Sequence, residues 1–227
     1  MSIGKGLHHP TRWVYLQLSA EALTVLPLSV IISAVIIMKK RLVIFDCFGV
    51  IFGEIAPRFF GNHFEKEEAL VLKEKYFRGV DLGTTTLDQV FDAFESELGL
   101  NRAECVKEWY SLIRLNEAMV PLIKKAKETA DVALLSNAPL GFVEKIFDEH
   151  SLTELFDRMF ISCNLGLAKP DPEIYKYAVS QMGREYDEIF MIDDNEGNLA
   201  PLPALGITPV HFRGPESLDV LWESGDE

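Results

Sequence analysis

The stretch Leu42-Val43-Ile44-Phe45-Asp46-Cys47-Phe48-Gly49 constrains this chain more than any other. Four apolar residues run straight into an aspartate, and a glycine follows three positions later. A short apolar run bounded by a turn signal is the pattern of a strand buried on both faces of a parallel sheet. In open α/β sheets, ligands collect beyond the carboxyl ends of the strands. Asp46 therefore stands either where chemistry happens or in a turn that its side chain caps.

The chain after residue 116 supports a sheet of that kind. Amphipathic or capped helices are predicted over residues 117–129, 139–149, from Asp171-Pro172 onward and over 195–205. Short buried strands alternate with them at 132–135, 158–162, 188–192 and 207–211. That rhythm implies an α/β fold with a doubly wound parallel sheet and right-handed crossovers. Residues 214–227 read as a short tail.

Between residues 53 and 116 the pattern is helical throughout. Apolar residues recur at three- and four-residue spacing over 65–77, 87–98 and 102–114, with Thr86-x-x-Gln89 and Asn101-x-x-Glu104 as N-terminal capping pairs. Residues 79–86, with two glycines and three threonines, read as a break between lid helices. An all-helical insertion directly after the first strand and its loop forms a small lid over the carboxyl end of the sheet, placed to exclude water and select substrates. The expected division is 38–53 with 117–227 as the core and 54–116 as the cap.

Residues 1–37 differ from the rest. Residues 22–38 form a nearly unbroken apolar run, interrupted by Pro27 and followed by Lys39-Lys40-Arg41. One reading is a short membrane anchor, with the basic cluster holding the following domain in the cytoplasm. Another is that the working protein starts at Met38, just ahead of the first strand. A third is an ordered additional element, while a cleaved signal peptide lacks its small-residue site. Either of the first two leaves the globular part cytoplasmic.

Charge narrows the partners. A formal net charge of −13, with no basic cluster larger than Lys39-Lys40-Arg41, argues against a nucleic-acid surface. The three cysteines, Cys47, Cys105 and Cys163, are widely separated and show no metal-ligand spacing, which fits a reducing compartment.

Polar residues recur where the strands end: Asp46 after the first, Ser136-Asn137 after the second, Lys169 in the loop after the third, and Asp193-Asp194 after the fourth. Strands that each deliver a polar group to one edge build one site. A carboxylate nucleophile, a hydroxyl, an ammonium and an acidic pair able to hold Mg²⁺ are what phosphoryl transfer to an aspartate requires.

The segments Val43-Ile44-Phe45-Asp46-x-x-Gly49-Val50, Leu134-Leu135-Ser136-Asn137, Leu165-Gly166-x-x-Lys169-Pro170 and Ile192-Asp193-Asp194-x-x-x-Asn198 resemble the four motifs of the haloacid dehalogenase-like hydrolase superfamily. The forms of the third and fourth are most similar to its sugar-1-phosphate phosphatase-like branch. The resemblance implies a Rossmann-like core with a small helical cap, and Mg²⁺-dependent removal of phosphate from a small phosphorylated metabolite. It further implies that Asp46 attacks phosphorus, and that Ser136, Asn137 and Lys169 bind the phosphoryl group. Asp193 and Asp194 would hold the metal together with Asp46 and the backbone carbonyl of Phe48.

Phe48 departs from the superfamily pattern. Most of its phosphatases carry a second aspartate there, which protonates the leaving oxygen and then activates water. Three consequences are open: a leaving group that needs little protonation, with Glu54 the nearest acidic residue; C-halogen hydrolysis, where halide leaves without a proton; or a catalytically weak relative that binds a phosphorylated ligand. Asp193-Asp194 argues against the second, because an acidic pair suits a metal and a metal suits phosphate. Glu54, Arg58 and His63 are the lid residues weighed for the site against a solvated position.

Overall fold

The first strand, β1 (Arg41–Phe45), is the central strand of a five-stranded sheet. The structure, a computed structural model, describes residues 40–222. The apolar segment within residues 1–37 and the last residues of the tail lie outside them. No helix among the described residues is long and apolar enough to cross a membrane.

The other strands are β2 (Asp131–Ser136), β3 (Arg158–Ile161), β4 (Glu188–Asp193) and β5 (Thr208–His211). Their order across the sheet is β3-β2-β1-β4-β5, and every pairing is parallel. Phe45 of β1 pairs with Leu134 on one side and Ile192 on the other, so the next residue, Asp46, stands level with Asp193. That register carries Asp46 and Asp193 to the same edge.

Burial follows the period-two geometry of strands. Val43 and Phe45 join Val132, Leu134 and Ile192 in one apolar layer, while Leu42 and Ile44 join Ala133, Leu135 and Met191 in the other. Leu42, Ile44 and Phe45 are fully buried, which contributes about 1.5–3 kcal/mol each. Both faces are covered, as an all-parallel sheet requires.

After β1 the chain forms α1 (Ala56–His63), α2 (Lys66–Asp81), α3 (Leu87–Leu98) and α4 (Arg102–Ser111). Their packing is aromatic: Phe77 stacks on Trp109 with centroids 5.0 Å apart, and Phe59 on Phe94 at 5.2 Å. Thr86 and Gln89 close a reciprocal capping box on α3, and the Asn101 side chain accepts from the Glu104 amide at the start of α4.

Four boundaries differ from the sequence expectation. α1 is an additional helix, which Pro57 and Gly61 conceal from pattern reading. α2 runs through Gly79 to Asp81, and the break is the turn in which Thr84 and Thr85 amides donate to the Gly79 carbonyl. α4 stops at Ser111 because the chain turns back to the core, where the Arg114 carbonyl accepts from Gly53 at 2.8 Å and Leu115 bridges Phe52. Residues 195–205 form only a single helical turn over Glu196–Leu199 and a 3₁₀ turn, since Pro201 and Pro203 remove the amides a continuous helix needs.

The rest of the chain covers the sheet. α5 (Met119–Lys127) and α6 (Phe142–Glu149) bury Met119, Ile123, Val143 and Phe147 against the first layer. The short α7 (Ser162–Leu165) follows β3, α8 (Pro172–Gln181) buries Ile174 and Tyr175 in the second layer, and α9 spans Glu196–Leu199. Asp171 caps α8 by accepting from the Glu173 amide, with Pro172 in the first turn. The expected tail is partly structured: residues 215–221 make 3₁₀ turns that bury Leu218 and Leu221.

Candidate active site

Asp46 sits one residue beyond β1, where its amide still donates to the Ile192 carbonyl at 2.9 Å. Its Oδ1 accepts from the Cys47 amide at 2.6 Å, which fixes the carboxylate at the mouth of the loop. From the loop after β3, the Lys169 ammonium reaches 2.8 Å from Asp46 Oδ1 and 2.6 Å from Asp193 Oδ2. Lys169, Asp46 and Asp193 are all buried.

Neighbouring loops set this geometry. The Asn137 side chain donates to the Lys169 carbonyl and accepts from the Lys169 amide, both at 2.9 Å, clamping the lysine loop to the end of β2. Asn198 on α9 donates through Nδ2 to both oxygens of Asp193 at 3.1 Å, and the Asn195 amide donates to Oδ1 at 2.9 Å. Tyr175 of α8 in turn donates to the Asn198 carbonyl at 2.6 Å. Asp193 thus accepts four hydrogen bonds from three donors, Lys169, Asn198 and the Asn195 amide, a degree of satisfaction that a fully buried carboxylate needs.

Asp46, Asp193 and Asp194 each offer a carboxylate oxygen, and these lie within 4.8 Å of one another. Burial lifts the Asp46 carboxyl well above the usual aspartate range; Lys169 opposes that, and Asp193 and Asp194 reinforce it. Burial alone would depress Lys169, but Asp46 and Asp193 outweigh it and hold the ammonium above the ordinary lysine range. Burial and then Asp193 also raise Asp194. Three carboxylates facing one ammonium leave an excess of negative charge. The donor set, all hard oxygen, fits a divalent cation such as Mg²⁺.

The cluster opens into a cavity of about 490 Å³ roofed by the lid. Its walls include Phe48, Glu54, Phe142, Leu167 and Asn137 from the core and the connecting loops. From the lid come Lys73, Phe77 and Asp81, spaced four residues apart on one face of α2, together with Trp109. Burial, resisted by Lys73 and Lys169, pushes the Asp81 carboxyl up to about 6. The unfolded chain gives up this proton near pH 4, so Asp81 contributes stability that is complete below about pH 4 and lost as pH rises through 6. Asp81→Asn should flatten that fall, gaining roughly 1–2 kcal/mol on wild type between pH 4.5 and 7 in urea unfolding, after allowance for partial exposure.

The structure brings Asp46, Asn137, Lys169, Asp193 and Asp194 to one place. Ser136 lies beside them at the end of β2 but is fully buried and outside the cavity wall, with its hydroxyl 3.5 Å from the Asn137 carbonyl and in contact with Cys47. The Phe48 ring lines the cavity and packs on Phe142 with centroids 6.0 Å apart. Of the three lid residues weighed, Glu54 faces the cavity; Arg58 is exposed, and His63 pairs with Glu108 at 2.7 Å away from it. Lys73, Asp81 and Trp109 were not anticipated, because a helical repeat looks the same whether a face meets water or a cavity. Asn198 closes the Asp193-Asp194-x-x-x-Asn198 segment, and its i+5 spacing from Asp193 is the sequence signal for its role in holding that carboxylate.

The chain has relatives among known proteins. Over 151 residues the chain is 23% identical to sesquiterpene phosphatase astK of Aspergillus oryzae, covering 65% of this chain and 77% of that protein. It is 28% identical over 116 residues to flavin mononucleotide hydrolase 1 of Arabidopsis thaliana, which is 51% of this chain and 46% of that one. The solved structure of a HAD family enzyme from Bacteroides thetaiotaomicron covers 82% of this chain and 100% of its own, with a TM-score of 0.67 at 21% identity. A structure of that enzyme in complex with magnesium and inorganic phosphate matches with a TM-score of 0.61 at 24% identity, covering 75% of this chain and 92% of its own. The family model for haloacid dehalogenase-like hydrolases matches residues 40–206, from β1 through the lid and β4, and the chain belongs to that family.

Proposed function

We propose that this protein is a Mg²⁺-dependent phosphomonoesterase that acts on a small phosphorylated metabolite through an aspartyl-phosphate on Asp46. The observation that carries the reading is the buried Asp46 carboxylate, held 2.8 Å from Lys169 at the edge of the sheet beside two further carboxylates. A carboxylate positioned there is a nucleophile, and Lys169 supplies a positive charge that offsets the negative charge on the phosphoryl oxygens in the transition state. Asn137 acts by holding the Lys169 loop, and Ser136 by supporting the loop of Asp46 and Cys47.

Asp46, Asp193, Asp194 and the backbone carbonyl of Phe48 would hold the ion. When bound, Mg²⁺ offsets the carboxylate repulsion and the charge of the phosphoryl group. The relatives named for removing phosphate from a sesquiterpene and from a flavin nucleotide support a phosphate ester as the substrate class. The cavity of about 490 Å³ suits a small molecule, and a sugar 1-phosphate is the first candidate. In this reading residues 38–53 and 117–227 form the catalytic core, and 54–116 form the cap that chooses the substrate.

The full chain, incubated with Mg²⁺ and a panel of phosphorylated metabolites, should release inorganic phosphate from at least one. EDTA should stop the release and added Mg²⁺ restore it. A folded protein that releases phosphate from nothing in the panel would overturn the reading, and metal-independent chloride release from 2-chloropropionate would replace it with C-halogen hydrolysis.

A further inference from the structure

Position 48 holds a ring that can neither give nor take a proton, so any proton that the leaving oxygen takes up comes from another group. Outside the acidic cluster, four carboxyls line the cavity: Glu54, Glu74, Asp81 and Asp171. Glu74 is exposed and paired with Arg78, and Asp171 is exposed and caps α8. Asp81 feels Lys73, Lys169 and Glu74, but none of the three clustered carboxylates. Glu54 is in a different position, because Asp194 is the strongest charge acting on it, followed by Lys73, Lys169 and Asp193.

The backbone that carries Glu54 is tied to the loop of Asp46. The Gly49 amide donates to the Phe52 carbonyl at 2.7 Å, Phe48 bridges Phe52, and the Gly53 amide donates to the Arg114 carbonyl at 2.8 Å. Glu54 therefore follows directly on a segment bonded to the nucleophile loop, at the junction with the lid. Its side chain is largely enclosed, and among the described residues it has neither a hydrogen bond nor an ion pair. A carboxyl enclosed without a donor favours its protonated form, which is the form that can give a proton.

We propose that Glu54 is the proton donor and acceptor of this active site, doing what residue 48 cannot; the proposal rests on the phosphatase reading. As an Asp46 oxygen bonds to phosphorus and the ester P–O bond breaks, the Glu54 proton passes to the leaving oxygen, giving an alcohol and a Glu54 carboxylate. Water then attacks the aspartyl-phosphate. Its hydroxyl bonds to phosphorus, its proton returns to Glu54, and the bond to Asp46 breaks to give phosphate and a free Asp46 carboxylate. Burial, the largest influence on it, pushes the Glu54 carboxyl above the ordinary glutamate range, towards the protonated form that the first step uses.

Rapid-mixing kinetics on p-nitrophenyl phosphate and on glycerol phosphate, with Mg²⁺, test the proposal, because nitrophenolate leaves without a proton and an alkoxide does not. Glu54→Gln should release nitrophenolate in a burst stoichiometric with enzyme and then turn over at least about 100-fold more slowly than wild type. On glycerol phosphate it should lose at least about 100-fold with no burst. Adding Phe48→Asp to Glu54→Gln should recover about tenfold or more, since it restores an acid near the leaving oxygen. Glu54→Gln turning over both esters like wild type would overturn the proposal, as would a folded variant that loses the burst and is not rescued. A wild-type protein that releases phosphate from neither ester nor any member of the metabolite panel would overturn the phosphatase reading itself, and this proposal with it.

Discussion

Asp46→Asn should abolish phosphate release, by at least roughly 10³-fold, in a protein that melts no earlier than wild type. The amide keeps the shape of the carboxylate and can still accept from the Cys47 amide, but it cannot form an acyl phosphate. Lys169 retains Asp193 at 2.6 Å, so no buried charge is stranded. Removing one of three crowded carboxylates also relieves repulsion in the metal-free protein, because burial and its acidic neighbours already hold Asp46 well above the ordinary range. Phosphate release and a thermal melt on the same sample check both parts. A variant that keeps a tenth of wild-type turnover would remove Asp46 from the chemistry.

Gly49→Ala should damage metal binding more than it damages the fold. Gly49 has φ +84°, where an L side chain is strained by about 1–2 kcal/mol. A Cβ there would run into the Asp194 carboxylate, so Asp194 has to leave its place beside Asp46 and Asp193. The Mg²⁺ concentration that half-restores activity should rise at least about tenfold, the scale on which misplaced ligands weaken metal sites. Gly99→Ala separates the two effects, because Gly99 has φ +67° but open space around its Cβ position. It should lose a similar amount of stability and leave the Mg²⁺ titration unchanged. Equal Mg²⁺ requirements for wild type and Gly49→Ala would count against Asp194 as a ligand.

The parts of this protein that could be read from sequence are those whose pattern is local. β1, β2 and β4 are apolar runs buried on both faces, and such runs leave few alternatives. α3 was legible to the residue because its apolar spacing is regular and Thr86 and Gln89 mark its start chemically. α1 was not, since eight residues containing Pro57 and Gly61 carry too little periodicity. The same division runs through the site. Asp46, Asn137, Lys169 and the Asp193-Asp194 pair stand where strands stop, so topology alone gathers them. Lys73, Asp81 and Trp109 reach the cavity only because α2 and α4 fold back over the sheet, and no spacing within either helix encodes that.

The pairing of Phe45 with Ile192 has a consequence for how this protein can be assayed. Side chains alternate faces along a strand, so a slip of one residue between β1 and β4 would turn Asp193 to the wrong side and leave Lys169 holding a single carboxylate. A chain in that state could keep its helices and much of its compactness, and circular dichroism would count it as folded. Turnover would not. Specific activity therefore carries information about the register of the central strands that the spectra of the same preparation do not.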